Sequence, residues 1–140
     1  MIKRQILVVT LIVMLAGCNK ELSYSYIKIA TVHKGIQSFI DQVEDQNGLY
    51  VYFDKKKAVY VFLNGKNVVQ GEKATYFERF YAEGDGETLN IYFDEKSTED
   101  YANQSVDYQL LYKVNLDKDY EYIKAFRNGK HVPIDVASGN

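Results

Sequence analysis

The chain has 140 residues, enough for one domain and too few for two comfortable cores. Apolar side chains make up 46 % of it, which fits neither a disordered chain nor a bundle of membrane spans. Lys3 and Arg4 are the only charges among the first 17 residues, so of 17 bases and 19 acids the remainder keeps a formal net charge of −4; that sign disfavours nucleic acid and gives no general attraction to an anionic membrane.

Lys3 and Arg4 open the chain as a short basic region, and Ile6 to Gly17 follow without a charge, Thr10 being the only polar residue. The run has about half the roughly 20 apolar residues of a spanning helix and the usual length of a signal-peptide core. It ends Leu15-Ala16-Gly17-Cys18, which resembles the lipobox of bacterial lipoproteins. The resemblance implies cleavage before Cys18 and a diacylglycerol on its sulfur. Residues 1–17 are then a signal peptide, 18–25 a lipidated cysteine with a short tether, and 26–140 one β-rich extracytoplasmic domain on the cell membrane. Two acyl chains hold firmly where one binds only reversibly. Cys18 is the only cysteine, so no internal disulfide and no cysteine metal cluster is expected.

Ser23 to His33 is rich in Tyr, Ile, Val and Thr and reads as a strand with imperfect alternation. Ile36, Phe39, Ile40 and Val43 then fall on one face of a helix, which Asn47-Gly48 should end. From Leu49 the period is two: Leu49, Val51 and Phe53 share one face, Tyr50 and Tyr52 the other. Ala58 to Leu63 is apolar on both faces and reads as a central strand. Asn64-Gly65 is a hairpin signal. Ala74 to Ala82 is the next strand, Gly84-Asp85-Gly86 the next turn, and Leu89 to Asp94 the strand after it. Glu95 to Gln104 reads as a polar loop. Val106, Tyr108, Leu110, Tyr112 and Val114 alternate as one strand, followed by Tyr120 to Phe126, the turn Asn128-Gly129 and a short strand to Ile134. Phe62 to Val68 echoes Phe126 to Val132, which reads as reuse of Asn-Gly turn chemistry. The pattern predicts a mainly β (α+β) fold, an antiparallel meander forming an open sandwich or small barrel, with one short N-terminal helix over a sheet face or end.

The side chains offer little chemistry. No nucleophile elbow, phosphate-binding glycine loop or His-Glu-x-x-His is present. His33 and His131 read as unrelated surface histidines, and Glu83-Gly84-Asp85-Gly86-Glu87 reads as a solvated hairpin turn, since it lacks the ligand spacing of a calcium loop. Neither a catalytic residue nor a cofactor is expected. All 13 tyrosines lie beyond the signal segment. Tyr suits a half-buried sheet face, where its ring packs and its hydroxyl stays wet; it is also favoured at interfaces. Tyr50, Tyr52, Tyr92, Tyr108 and Tyr112 are the candidates for a binding face.

Three stretches, Tyr60 to Gly65, Glu83 to Tyr92 and Tyr108 to Val114, make the region from Ala58 to Val132 similar to the small bacterial PrcB-like export domains. The family's Pro-Thr-Gly-Gly-Tyr signature is absent; Asn67 to Gly71 stands in its place. The resemblance implies a β-rich protein-binding module. The expected function is therefore a membrane-anchored, non-enzymatic module that binds an envelope protein or peptide; the alternative is a lipocalin-like carrier of a small apolar ligand.

Overall fold

A computed structural model describes residues Lys20 to Gly139; the expected signal peptide and Cys18 lie outside the described residues. The described residues form two facing sheets with one α-helix on the outer side of the first. The first sheet contains β1 (Ser23–Tyr26), β2 (Gly48–Asp54), β3 (Ala58–Asn64), β6 (Gln109–Asn115) and β9 (Val136–Gly139), in the order β1-β6-β3-β2-β9. The second contains β4 (Ala74–Asp85), β5 (Thr88–Thr98), β7 (Tyr122–Arg127) and β8 (Lys130–Val132), in the order β4-β5-β7-β8. Among the described residues the sheets stay open and no closed barrel forms.

Alternation explains the layers. Leu49, Val51, Val59, Val61 and Leu63 of the first sheet meet Phe77, Leu89, Ile91, Phe93 and Ala125 of the second in one core. The alternate residues Tyr50, Tyr60, Phe62 and Leu111 point the other way, where α1 (Lys34–Val43) covers them with Ile36, Phe39 and Ile40. β3 lies at the centre of its sheet and is covered on both faces, so all seven of its residues are buried. This is the physical reason for its unbroken apolar run. Burying each large side chain contributes about 1.5–3 kcal/mol, and Phe62, Leu63, Ile91 and Leu111 are essentially dry.

The structure departs from the expected meander in particular places. Both sheets are mixed, because β9 runs parallel to β2 and β7 parallel to β5. The strand expected over Ser23–His33 ends at Tyr26, and a 3-10 turn at Ile29–Thr31 leads into α1. Gly48 does not cap α1, whose last turn closes with the Glu44 N–H on the Ile40 carbonyl at 2.8 Å. It opens β2 instead, where a Cβ would sit 2.5 Å from Asp135 Oδ2, the carboxylate that accepts the Leu49 N–H at 2.8 Å. Asn64-Gly65 makes no hairpin either: the chain leaves β3 there to cross to the second sheet. Asn128-Gly129 does turn a hairpin, with φ of 52° and 79° and Arg127 opposite Lys130. The strand expected from Val106 starts at Gln109, because Asp107 pairs with Phe77 of β4 before the chain joins the first sheet. β5 runs on to Thr98, through the first part of the expected polar loop.

Candidate functional site

One aromatic ring from each strand of the second sheet stands on its outer face, the side away from the core. β5 turns Leu89, Ile91 and Phe93 inward, so Asn90, Tyr92 and Asp94 face out. The register then sets Tyr81 of β4 and Phe126 of β7 on either side of Tyr92, and His131 of β8 beside Phe126.

Tyr81 reaches this row through a bulge. Glu78 lies opposite Asp94 but Tyr81 lies opposite Tyr92, an irregularity at Arg79, whose φ is 48°. In unbroken register Phe80 would face Tyr92 on the outside and Tyr81 would point inward. The extra residue reverses both orientations, as a one-residue slip must. Phe80 instead stacks on Tyr112 inside the sandwich, with centroids 4.0 Å apart.

The rings form a ladder. Tyr81 and Tyr92 stack at 4.4 Å and 9°, Tyr92 and Phe126 at 4.9 Å and 14°, and His131 leans on Phe126 at 5.6 Å and 60°. Faces so close are occupied by their neighbours, and solvent meets mainly ring edges and the tyrosine hydroxyls. A sugar ring or nucleobase needs a free aromatic face to stack on, and the middle of the ladder offers none. Edges and hydroxyls instead suit the mixed apolar and hydrogen-bonding contacts of a polypeptide.

The surroundings are polar. The Tyr92 hydroxyl donates to Glu83 Oε1 at 3.0 Å; desolvation and that bond push its pKa up. Arg79 with Asp94 at 3.8 Å and Lys96 with Glu78 at 3.6 Å flank the row, as exposed pairs of small energetic weight. Asn90, between Glu83 and Lys124 in the neighbouring row, is 8 % exposed, and its Oδ1 has no hydrogen-bond partner among the described residues.

Of the five tyrosines proposed from sequence, only Tyr92 belongs to this row. Tyr50 is buried under α1 and donates to the Gln46 carbonyl at 2.7 Å; burial, then Asp135, raises its pKa. Tyr52 packs on Phe39 at 5.4 Å. Tyr108 sits in the loop before β6 and bonds the Asp100 carbonyl at 3.2 Å. Tyr112 lies between the sheets, its pKa raised by burial and then by Asp107. Tyr81, Phe126 and His131 are the members that sequence reasoning missed. The alternation of Tyr122, Lys124 and Phe126 against Ile123 and Ala125 was visible, whereas the bulge that turns Tyr81 outward had no signal of its own.

A second feature is a cavity of about 400 Å³ between the sheets at one end of the sandwich. Phe53, Val59, Leu89, Leu116 and Ile123 give it an apolar lining, and Lys55, Lys56, Asp119 and Glu121 stand around it. Tyr120 forms a side wall, its hydroxyl on Asp117 Oδ1 at 2.7 Å. Burial, then the bond to Asp117, pushes its pKa to about 12.

Of Glu83 to Glu87, the first three residues still pair in β4 and Gly86-Glu87 turns the hairpin into β5. His33 and His131 lie on opposite outer sides of the sandwich, against Tyr60 and Phe126. Among the described residues no group of three or more His, Cys, Asp or Glu is placed to hold a metal, and no helix is long and apolar enough to cross a membrane. No family model, curated protein or solved structure matches the chain.

Proposed function

We propose that this protein is a bacterial lipoprotein, held on the extracytoplasmic face of the cell membrane by lipid on Cys18, whose β-sandwich binds an envelope protein or peptide without catalysing a reaction. The observation that carries the binding reading is the ladder Tyr81-Tyr92-Phe126-His131 on the sheet face that no helix among the described residues covers. Tyr81 is 43 % exposed and Tyr122, on the same face, 57 %. The resemblance to PrcB-like export domains points the same way. The anchor reading is supported by the basic start, the short apolar run and Leu15-Ala16-Gly17-Cys18.

The apolar cavity favours the second reading, a carrier of a small apolar ligand, since ligand sites occupy about 300–1,000 Å³. The sheets do not close into the barrel that a lipocalin-like carrier requires. Fold alone does not decide between these functions.

A photo-crosslinking amino acid at position 81 tests the binding reading in intact cells, with the same probe at Gln42 on the exposed side of α1 as control. A discrete protein adduct from position 81 that Phe126→Ser abolishes is expected. No adduct, or the same adducts from both positions, would remove the ladder from consideration. Cys18→Ser tests the anchor separately: fatty-acid label should enter the wild type and not the variant.

A further inference from the structure

We infer that the cavity between the sheets takes an acyl chain of a lipid from the bilayer to which the domain is tethered. The inference rests on the proposed anchor at Cys18. Its first support is position. The lining comes from the β2–β3 turn, the start of β5 and the segment after β6, so the cavity lies at one end of the sandwich. The N-terminal tether arrives at that same end: Ser23 is opposite Asn115 in β1 and β6, Leu22 packs against the inter-sheet core, and the Leu116 N–H bonds the Lys57 carbonyl at 2.9 Å. Five residue steps separate Cys18 from Ser23, a reach of at most about 18 Å at 3.3–3.6 Å per residue. A lipidated Cys18 therefore holds this end of the domain next to the membrane.

The second support is chemistry. Five apolar side chains form the lining, and the fixed charges are balanced between Lys55 and Lys56 on one side and Asp119 and Glu121 on the other. Lys56 and Asp119 already face each other at 3.6 Å. Such a rim selects no soluble ion, and an apolar chain needs no polar partner inside. The local sequence also keeps the wall in place. A Cβ on Gly84 would collide with the Tyr120 hydroxyl, so glycine there leaves room for the ring that Asp117 holds. The donor is the bilayer itself, the apolar reservoir within the tether's reach. The bound lipid keeps its headgroup at the open mouth and one chain inside.

The full-length chain tests this in a bacterial host fed a fatty acid that carries a diazirine and an alkyne. After irradiation, adducts are mapped on the digested protein. The expected result is a phospholipid-mass adduct on the peptide spanning Leu116 to Ile123, reduced at least fivefold in Leu116→Trp and in Ile123→Trp, with label on Cys18 and the thermal melt unchanged. A covalent bridge from that peptide to Cys18 overturns the bilayer source in favour of the protein's own lipid. A free-fatty-acid mass overturns it as well. Label on Cys18 with an unlabelled cavity overturns the inference and leaves the anchor standing. Cavity label without Cys18 label removes the anchor, and with it the tethered bilayer as the source, and so overturns the inference. Label on neither removes both. Should the Trp variants lose their fold, adduct position in the wild type decides, and adducts confined to the outer sheet faces overturn the inference.

Discussion

Replacing Asn64 by alanine would take four hydrogen bonds from a side chain that is 1 % exposed. Its Nδ2 donates to the Glu44 and Gln46 carbonyls, both at 2.9 Å. Its Oδ1 accepts the Lys66 N–H at 3.2 Å and Gln109 Nε2 at 3.1 Å. One amide thus fastens the end of α1, the exit of β3 and the start of β6 together. A net hydrogen bond contributes roughly 0.5–1.5 kcal/mol, and a buried group left unpaired costs about 1–3 kcal/mol. Gln46 is exposed and can turn its carbonyl to water, whereas Gln109 is half-buried and keeps less access to solvent. One stranded group together with one or two lost bonds predicts a loss of about 2–4 kcal/mol for Asn64→Ala. Asn64→Asp should cost more, because it sets a carboxylate against two carbonyl oxygens where two donors stood. The control is Asn128→Gly. Glycine keeps the left-handed turn and gives up only the exposed bonds to Glu95, so its cost should stay under about 1 kcal/mol. Urea melts of the three variants measure these differences. Asn64→Ala within about 0.5 kcal/mol of wild type, or Asn64→Asp milder than Asn64→Ala, would refute the assignment of Asn64 as a buried tie.

Leu110→Ala should cost about 2–5 kcal/mol as a large-to-small change in the inter-sheet core, where Leu110 is 4 % exposed. Lys113→Ala should cost less than about 1 kcal/mol, since Lys113 gives up a cation–π contact 5.9 Å from the Tyr60 ring centroid at a half-exposed site; equal losses would show that β6 faces the wrong way. Tyr120 should be among the last tyrosines to ionise. Its folded pKa, about 12, lies above the ordinary value near 10, so its contribution to stability is present below pH 10 and is lost as the pH rises through 12. Tyrosinate absorbance should show one late-titrating group missing in Tyr120→Phe, and an unchanged late phase would refute it. Gly84→Ala should lower the melting temperature through its collision with Tyr120, and should do so less in a Tyr120→Ala background; additive losses would show that the two residues do not meet.

The layers of this fold could be read from the chain because burial on one face leaves a period of two and burial on both erases it. Leu89 to Phe93 shows the first case and β3 the second, while Leu49 to Phe53 keeps its alternation under α1 because tyrosines fill its second buried face. The helix showed itself through Ile36, Phe39 and Ile40. What local sequence did not carry was the pairing between distant segments. Val136–Gly139 has little β signal of its own, and its backbone joins β2 beside Asp135, whose carboxylate accepts the Leu49 N–H and whose N–H donates to the Leu49 carbonyl. The two Asn-Gly pairs make the same point. Gly129 has free space around it and the Asn128-Gly129 pair turns left-handed, whereas Gly65 lies against the Thr75 carbonyl, 2.5 Å from where a Cβ would be, and Asn64 is consumed as a tie. The dipeptide permits a hairpin in both places, and packing decides whether one forms.

The candidate site follows the same logic. Leu49-Tyr50-Val51-Tyr52-Phe53 and Leu89-Asn90-Ile91-Tyr92-Phe93 are almost the same pattern, with inward residues at the first, third and fifth positions. Tyr50 and Tyr52 go to the side covered by α1, and Tyr92 goes to a side that no element among the described residues covers. Only the second position, Tyr50 against Asn90, differs in polarity. The difference is that α1 precedes β2 by a short connection, and Asn64 ties its end to that sheet. Once the only helix among the described residues is committed to the first sheet, the outer face of the second must carry its own rings. Stacking them edge-outward across four strands removes ring faces from water and leaves the edges open. The ladder therefore stabilises its sheet with or without a partner, and loss of Phe126 has two separable consequences. A stability loss reports the stack, and only loss of the crosslink from position 81 at unchanged folding reports binding.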